Sequence, residues 1–174
     1  GTNSKAAKTL LTDIDFIPVN GQRIRIVPIY TLLGGRLDAD SLMGPELKHR
    51  HCNVTACLPP FRKFVVGKAS LTTAQAVNVA DTMLVSSLLH NAHTWCGLSL
   101  DQFRQVSGRL ASLYGSALGN RTCRYNGTVV RLSDSQVYQR ANRPDASAQV
   151  RLKRLQFLPR VLIHGSPALR MITD

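Results

Sequence analysis

Two stretches in the middle of the chain repeat apolar residues at every third or fourth position, and the segments around them do not. From Ser70 to about His90 the repeat runs through Ala74, Val77, Ala80, Leu84 and Leu88, the spacing that brings side chains onto one face of a helix. A second repeat, Phe103, Val106, Leu110 and Leu113, follows Ser99 and Gln102, which have the spacing of a capping box, and stops at Gly119-Asn120. The short connection predicts a helical hairpin at the centre of the fold. At 174 residues the chain is long enough to close a hydrophobic core around it.

The flanks read as strands. Arg23-Ile24-Arg25-Ile26-Val27 alternates charged and apolar side chains with period two and predicts a strand running toward Leu33, at an edge or bulged at Pro28. Gly34-Gly35 ends it, and 36–48, with two Asp and Pro45, reads as a loop. Short strands are expected at 50–57 and 62–67, parted by Pro59-Pro60. Beyond the helices, Arg121–Tyr125 and Thr128–Leu132 flank Asn126-Gly127, the strongest short hairpin signal. Ser133 and Gln136 have capping-box spacing and open a short helix to about Asn142. Val150–Phe157 and Arg160–Ile163 are expected as the last strands, broken by Pro159. The fold class expected is α+β, a mainly antiparallel sheet with a central helical hairpin and one further short helix. Residues 1–12 read as a flexible arm and 13–174 as a single α+β domain. No apolar run reaches the roughly 18 residues of a membrane span, and the start has neither a Met nor the apolar core of a signal peptide, as a processed terminus would.

The formal net charge is +12, and its make-up is unusual: 16 Arg against 6 Lys, and 9 Asp against a single Glu. Solvated helical faces usually mix Lys with Glu at i,i+4 spacing. Arginine instead offers a planar fork of donors that suits phosphate oxygens. The excess is uneven as well, because residues 121–174 hold ten bases and three acids. That points to a polyanionic partner. A membrane surface is not expected, since no basic amphipathic helix is legible in the sequence.

The candidate contacts are Arg121, Arg124 and Arg131 on the hairpin, and Arg151, Lys153, Arg154 and Arg160 on the terminal strands. Alternation along a strand puts Arg151 and Lys153 on one side, with a bulge turning Arg154 outward. Arg121 and Arg131 fall near cross-strand positions, where like charges cost stability unless an anion lies between them. Tyr125 and Tyr138 could add base stacking. No zinc-finger spacing, RNP aromatic motif, KH-type GxxG or helix-turn-helix accompanies these residues, so the expected mode is backbone contact with little sequence preference.

Other constellations are thinner. His49, His51, Cys52 and Cys57 precede the helices, and His90, His93 and Cys96 lie between them, yet no CxxC pair supports zinc and the expected reading is core thiols and loop histidines. Four cysteines and sequons at Asn53, Asn120 and Asn126 would suit a secreted disulfide-bonded glycoprotein. Asp13-x-Asp15 and Asp38-x-Asp40 could serve a metal-dependent nuclease, although no nearby Glu or His backs either pair. There is no GxSxG, Walker A or GxGxxG, and no cofactor is expected.

The sequence therefore predicts a non-enzymatic structural protein on nucleic acid, RNA ahead of DNA. A self-assembling viral coat or nucleocapsid subunit is its first form, and a ribosomal or other ribonucleoprotein component its second. Nuclease and secreted glycoprotein are the alternatives from other classes.

Overall fold

The computed structural model describes residues 16–164 apart from 20, 26, 28, 33, 39–42, 69, 96 and 120. The expected arm, Asp13, Asp15, Asp40, Pro28, Cys96 and Asn120 lie outside the described residues. The chain divides into two compact units at Glu46.

The first unit contains two antiparallel hairpins where a single long strand was expected. β1 (Phe16–Val19) pairs with β2 (Gln22–Arg25), and β3 (Ile29–Leu32) pairs with β4 (Gly35–Asp38). The glycines explain the division. Gly21 and Gly34 both take φ of 77°, which glycine adopts at no steric cost, so each reverses the chain after four residues of strand. Gly35 continues into β4 instead of ending the sheet. The carboxylate of Glu46, the only glutamate, is buried in the same unit and accepts the Arg36 amide at 2.6 Å.

The second unit is mainly helical, so the mainly-sheet expectation gives way to helices joined to two-stranded hairpins. Its largest departure from the sequence reading is α1 (Gly44–Phe64), which replaces the loop at 44–48 and the strands at 50–57 and 62–67. Pro59 and Pro60 stand inside this helix and lie exposed on its outer side. Each removes an amide donor at a cost of up to ~3 kcal/mol. The opposite side buries Leu47, Val54, Leu58 and Phe61, spaced by 7, 4 and 3, and Val65 just past the helix end is buried in line with them. Burying five such side chains at about 1.5–3 kcal/mol each outweighs the two prolines.

The central helices follow the sequence. α2 (Thr73–Ala80) is closed by a capping box from Thr72 to Gln75, and runs on through a π-helical turn (Asp81–Val85) and a last α-turn (Ser86–Leu88). Val77, Ala80, Leu84 and Leu88 are buried as expected, while Ala74 is exposed and Ala76 is buried. A left-handed Asn91 and a 3-10 turn (Ala92–Thr94) lead past the buried Trp95 to α3 (Leu100–Ala117), which carries the expected Ser99/Gln102 box. α3 packs on α2 and contributes Val106, Leu110, Leu113 and Tyr114 to the core.

β5 (Thr122–Tyr125) and β6 (Thr128–Arg131) form the expected hairpin, with Asn126 and Gly127 at φ of 47° and 79°. α4 (Asp134–Ala141) follows with its Ser133/Gln136 box and ends at a left-handed Asn142. The expected strands 150–157 and 160–163 are instead one helix, α5 (Ala146–His164), with Pro159 inside it. Asp145 starts α5: its carboxylate accepts the Ala148 amide at 2.8 Å and its carbonyl accepts that of Gln149 at 3.0 Å.

A polar clamp holds four segments of this unit together. Tyr114 Oη donates to Asp81 Oδ1 at 2.8 Å, and Arg143 Nε donates to Asp81 Oδ2 at 2.6 Å. Arg143 also reaches Asn78 Oδ1, and Gln149 Nε2 donates to the Pro144 carbonyl at 2.8 Å. Burial, reinforced by the Asp81 carboxylate, pushes the Tyr114 phenol far above its usual range.

Candidate nucleic-acid interface

The hairpin register redistributes its three arginines. Arg131 lies opposite Thr122, and Arg124 lies opposite Val129. Alternation therefore places Arg124 and Arg131 on one face with Thr122 and Val129. The two arginines are diagonal neighbours, about 7–8 Å apart by ordinary sheet geometry. Both are exposed, as is Val129, and neither arginine has an acidic partner among the described residues. Arg121 does not join them. It lies opposite Leu132, whose amide donates to the Arg121 carbonyl at 2.7 Å, and its guanidinium pairs with Asp134. The expected opposition of Arg121 to Arg131 is therefore corrected to a diagonal of Arg124 and Arg131.

Gly115 explains where Arg121 goes. A Cβ on Gly115 would lie 2.8 Å from Arg121 Cδ and closer still to Cγ. Only glycine lets the arginine stem lie across α3. Arg121 and Arg62 line one pocket of about 370 Å³ with Ser112 and Ser116, and Arg62 reaches Ser116 Oγ at 3.4 Å.

The terminal basic residues regroup because their element is a helix. Arg151 and Lys153, expected on one side of a strand, are two residues apart on α5 and point to different sides. Arg151 and Arg154, three apart, come together instead, and no bulge is needed to turn Arg154. Both line an open groove of about 530 Å³ whose apolar wall is Leu98, Leu100, Phe103 and Val150. Arg154 is anchored by donating to the Trp95 carbonyl, while Arg151 is exposed and has no acidic partner among the described residues. Lys153 and Arg160 fall on a second side of α5, near His93.

The His93 ring stacks on Phe157 with centroids 4.0 Å apart. Burial holds its pKa below 6.5, helped by the positive fields of His90, Arg160 and Lys153. Such an imidazole is neutral at pH 7 and adds no charge to the basic surface. Tyr138 is no stacking platform: it is buried, its hydroxyl donates to the Ser107 carbonyl at 2.9 Å, and burial pushes its pKa to about 12. The Tyr125 side chain lies outside the described residues.

His49, His51, Cys52 and Cys57 share α1 but not one face of it. Among the described residues no three His, Cys, Asp or Glu side chains approach closely enough to hold a metal ion. Cys52, Cys57 and Cys123 are free thiols. The groove wall is what the sequence reading missed. The helical state of α5, which brings Arg151 and Arg154 to that wall, had a signal in the Asp145 cap and the apolar residues at 152, 155 and 158, a helical spacing that Pro159 disguised. Comparison with protein families, curated proteins and solved structures finds no match to this chain.

Proposed function

We propose that the protein is a non-enzymatic structural protein that binds the phosphate backbone of nucleic acid, RNA in the first instance, and packages it as a self-assembling coat or nucleocapsid subunit. The observation that carries this reading is the groove at Arg151 and Arg154. It joins a cationic rim to an apolar wall with Phe103 in it, which suits a nucleotide whose phosphate meets guanidinium while its base lies on the wall. The exposed diagonal of Arg124 and Arg131 offers a second phosphate contact on the hairpin. Arg121 belongs to the Asp134 pair and is assigned a positioning role. Lys153 and Arg160 add to the field around α5.

Titrating binding against salt tests the proposal. On single-stranded RNA the log–log slope should be about −0.7 per phosphate neutralised. Replacing Arg124, Arg131, Arg151 and Arg154 by Glu should flatten that slope by about two to three, while Arg121→Glu should act chiefly on stability. Absence of binding at low salt, or an unchanged slope in the fourfold variant, would overturn the reading. Coat and ribonucleoprotein forms differ in whether protein and RNA alone assemble into symmetric particles.

A further inference from the structure

α5 has a leucine face that the groove does not use. Its first turn is tucked into the unit through Ala146 and Val150, and Phe157 on the same side stacks on His93. At 100° per residue, Leu152, Leu155, Leu158 and Leu162 fall on the other side, within an arc of about 120°. These leucines are exposed: 50% at Leu152, 64% at Leu155, 38% at Leu158 and 44% at Leu162. A leucine stripe turned to water marks a surface that something covers. Arg154 and Arg160 lie along its two flanks and Arg151 at its N-terminal end, and residues 146–164 contain no acid.

We propose that α5 lies in the plane of an anionic lipid surface, with its leucine stripe at the acyl boundary and Arg151, Arg154 and Arg160 among the headgroup phosphates. The charges select the occupant. A second copy of α5 laid on this stripe would bring arginine flanks together with no carboxylate between them, a repulsive arrangement. An acidic partner helix would answer the charge, but Pro159 stands inside the stripe, removes an amide donor and interrupts the regular side-chain rows that helix packing uses. A fluid lipid surface satisfies the charge and has no register for the proline to break. A helix with leucines on one face and arginines on its flanks is the form that binds in the interface plane. The expectation against a membrane rested on the lack of a basic amphipathic helix in the sequence; α5 carries basic residues beside an exposed leucine stripe. None of the described helices is long and apolar enough to cross a membrane, and lying on one requires no such length.

The inference goes beyond nucleic-acid binding, and the leucines separate the two. The full chain would be floated with phosphatidylcholine vesicles containing about a quarter phosphatidylserine, and with phosphatidylcholine vesicles alone. Binding is expected to the first and not to the second. Leu155→Glu with Leu162→Glu should lower vesicle binding at least about tenfold, while the uncharged pair Leu155→Ser with Leu162→Ser should leave RNA affinity unchanged. This milder serine pair should also lower vesicle binding, with the circular dichroism of the wild type. Arg154→Glu with Arg160→Glu should also lower vesicle binding at least about tenfold. No binding to the anionic vesicles, or binding indifferent to both leucine pairs, would overturn the proposal. So would a leucine-dependent dimer by light scattering, or leucine-dependent capture of an acidic helical peptide, in a chain that ignores the vesicles. Loss of RNA binding with vesicle binding intact would remove the nucleic-acid reading and leave this one standing.

Discussion

At the scale of single residues, position has to be separated from function. Arg121, Arg124 and Arg131 look alike in the sequence, but only the last two face solvent without an acid beside them. The sign of one substitution tests the structural role given to Arg121. Glycine inside a helix normally costs about 1 kcal/mol relative to alanine, so Gly115→Ala would ordinarily stabilise α3. Here the new Cβ meets the Arg121 stem and must push it from Asp134. Gly115→Ala should therefore destabilise by about 1–2 kcal/mol in urea unfolding. In an Arg121→Ala background the same change should stabilise by about 1 kcal/mol. Equal effects in both backgrounds would show that the arginine does not lie across Gly115. No sequence pattern reveals this contact, because a helical glycine facing an arginine six residues on has no periodic signature.

At the scale of elements, what was legible and what was not divide along one physical line. α3 and α4 announce themselves with side-chain caps and end near left-handed residues, so a few adjacent residues were enough to read them. The β5–β6 hairpin needed only Asn126-Gly127. α1 and α5 contain prolines, and a local reading ends a helix there. α1 persists because burial along it outweighs the lost amides, and that term belongs to the tertiary structure. α5, by contrast, is buried only in its first turn, at Ala146, Gln149 and Val150, and carries Pro159 in an exposed stretch. The start and helical period of α5 could have been inferred from Asp145 and the leucine spacing, whereas the Glu46 end of α1 had no comparable start signal. The docking of α5 also carries a pH prediction. His93 has its folded pKa below 6.5, first through burial and then through His90, Arg160 and Lys153. As pH falls through 6.5 the unfolded chain takes up a proton that the folded chain resists. Stability from this group is thus fully present above that pH and is lost on acidification. The thermal midpoint should fall between about pH 7.5 and 5.5, and fall less in His93→Phe, which keeps a ring against Phe157 but cannot protonate. His51, also depressed by burial and then by Arg109, leaves a residual dependence in that variant. An identical pH response in wild type and variant would remove His93 from this role.

At the scale of the whole molecule the decisive quantity is the +12 charge. Its clustering after residue 120 was legible from the first, but the sequence set it on strands, and the structure sets much of it on a helix and one hairpin face. Copies of such a chain repel one another, and the Coulomb work of packing them grows with every subunit added. A polyanion removes that work by neutralising the arginines, so assembly and RNA binding should be one equilibrium and not two. The purified chain, freed of nucleic acid at low salt, should scatter light as a small species. Adding RNA should produce a large particle, and nuclease or salt above the Debye-screening range should disperse it. The fourfold Glu replacement of Arg124, Arg131, Arg151 and Arg154 should leave the small species intact and prevent the particle. Large particles forming at low salt without any polyanion would mean that an apolar interface alone drives assembly, and the coupling of charge to packaging would fall with that result.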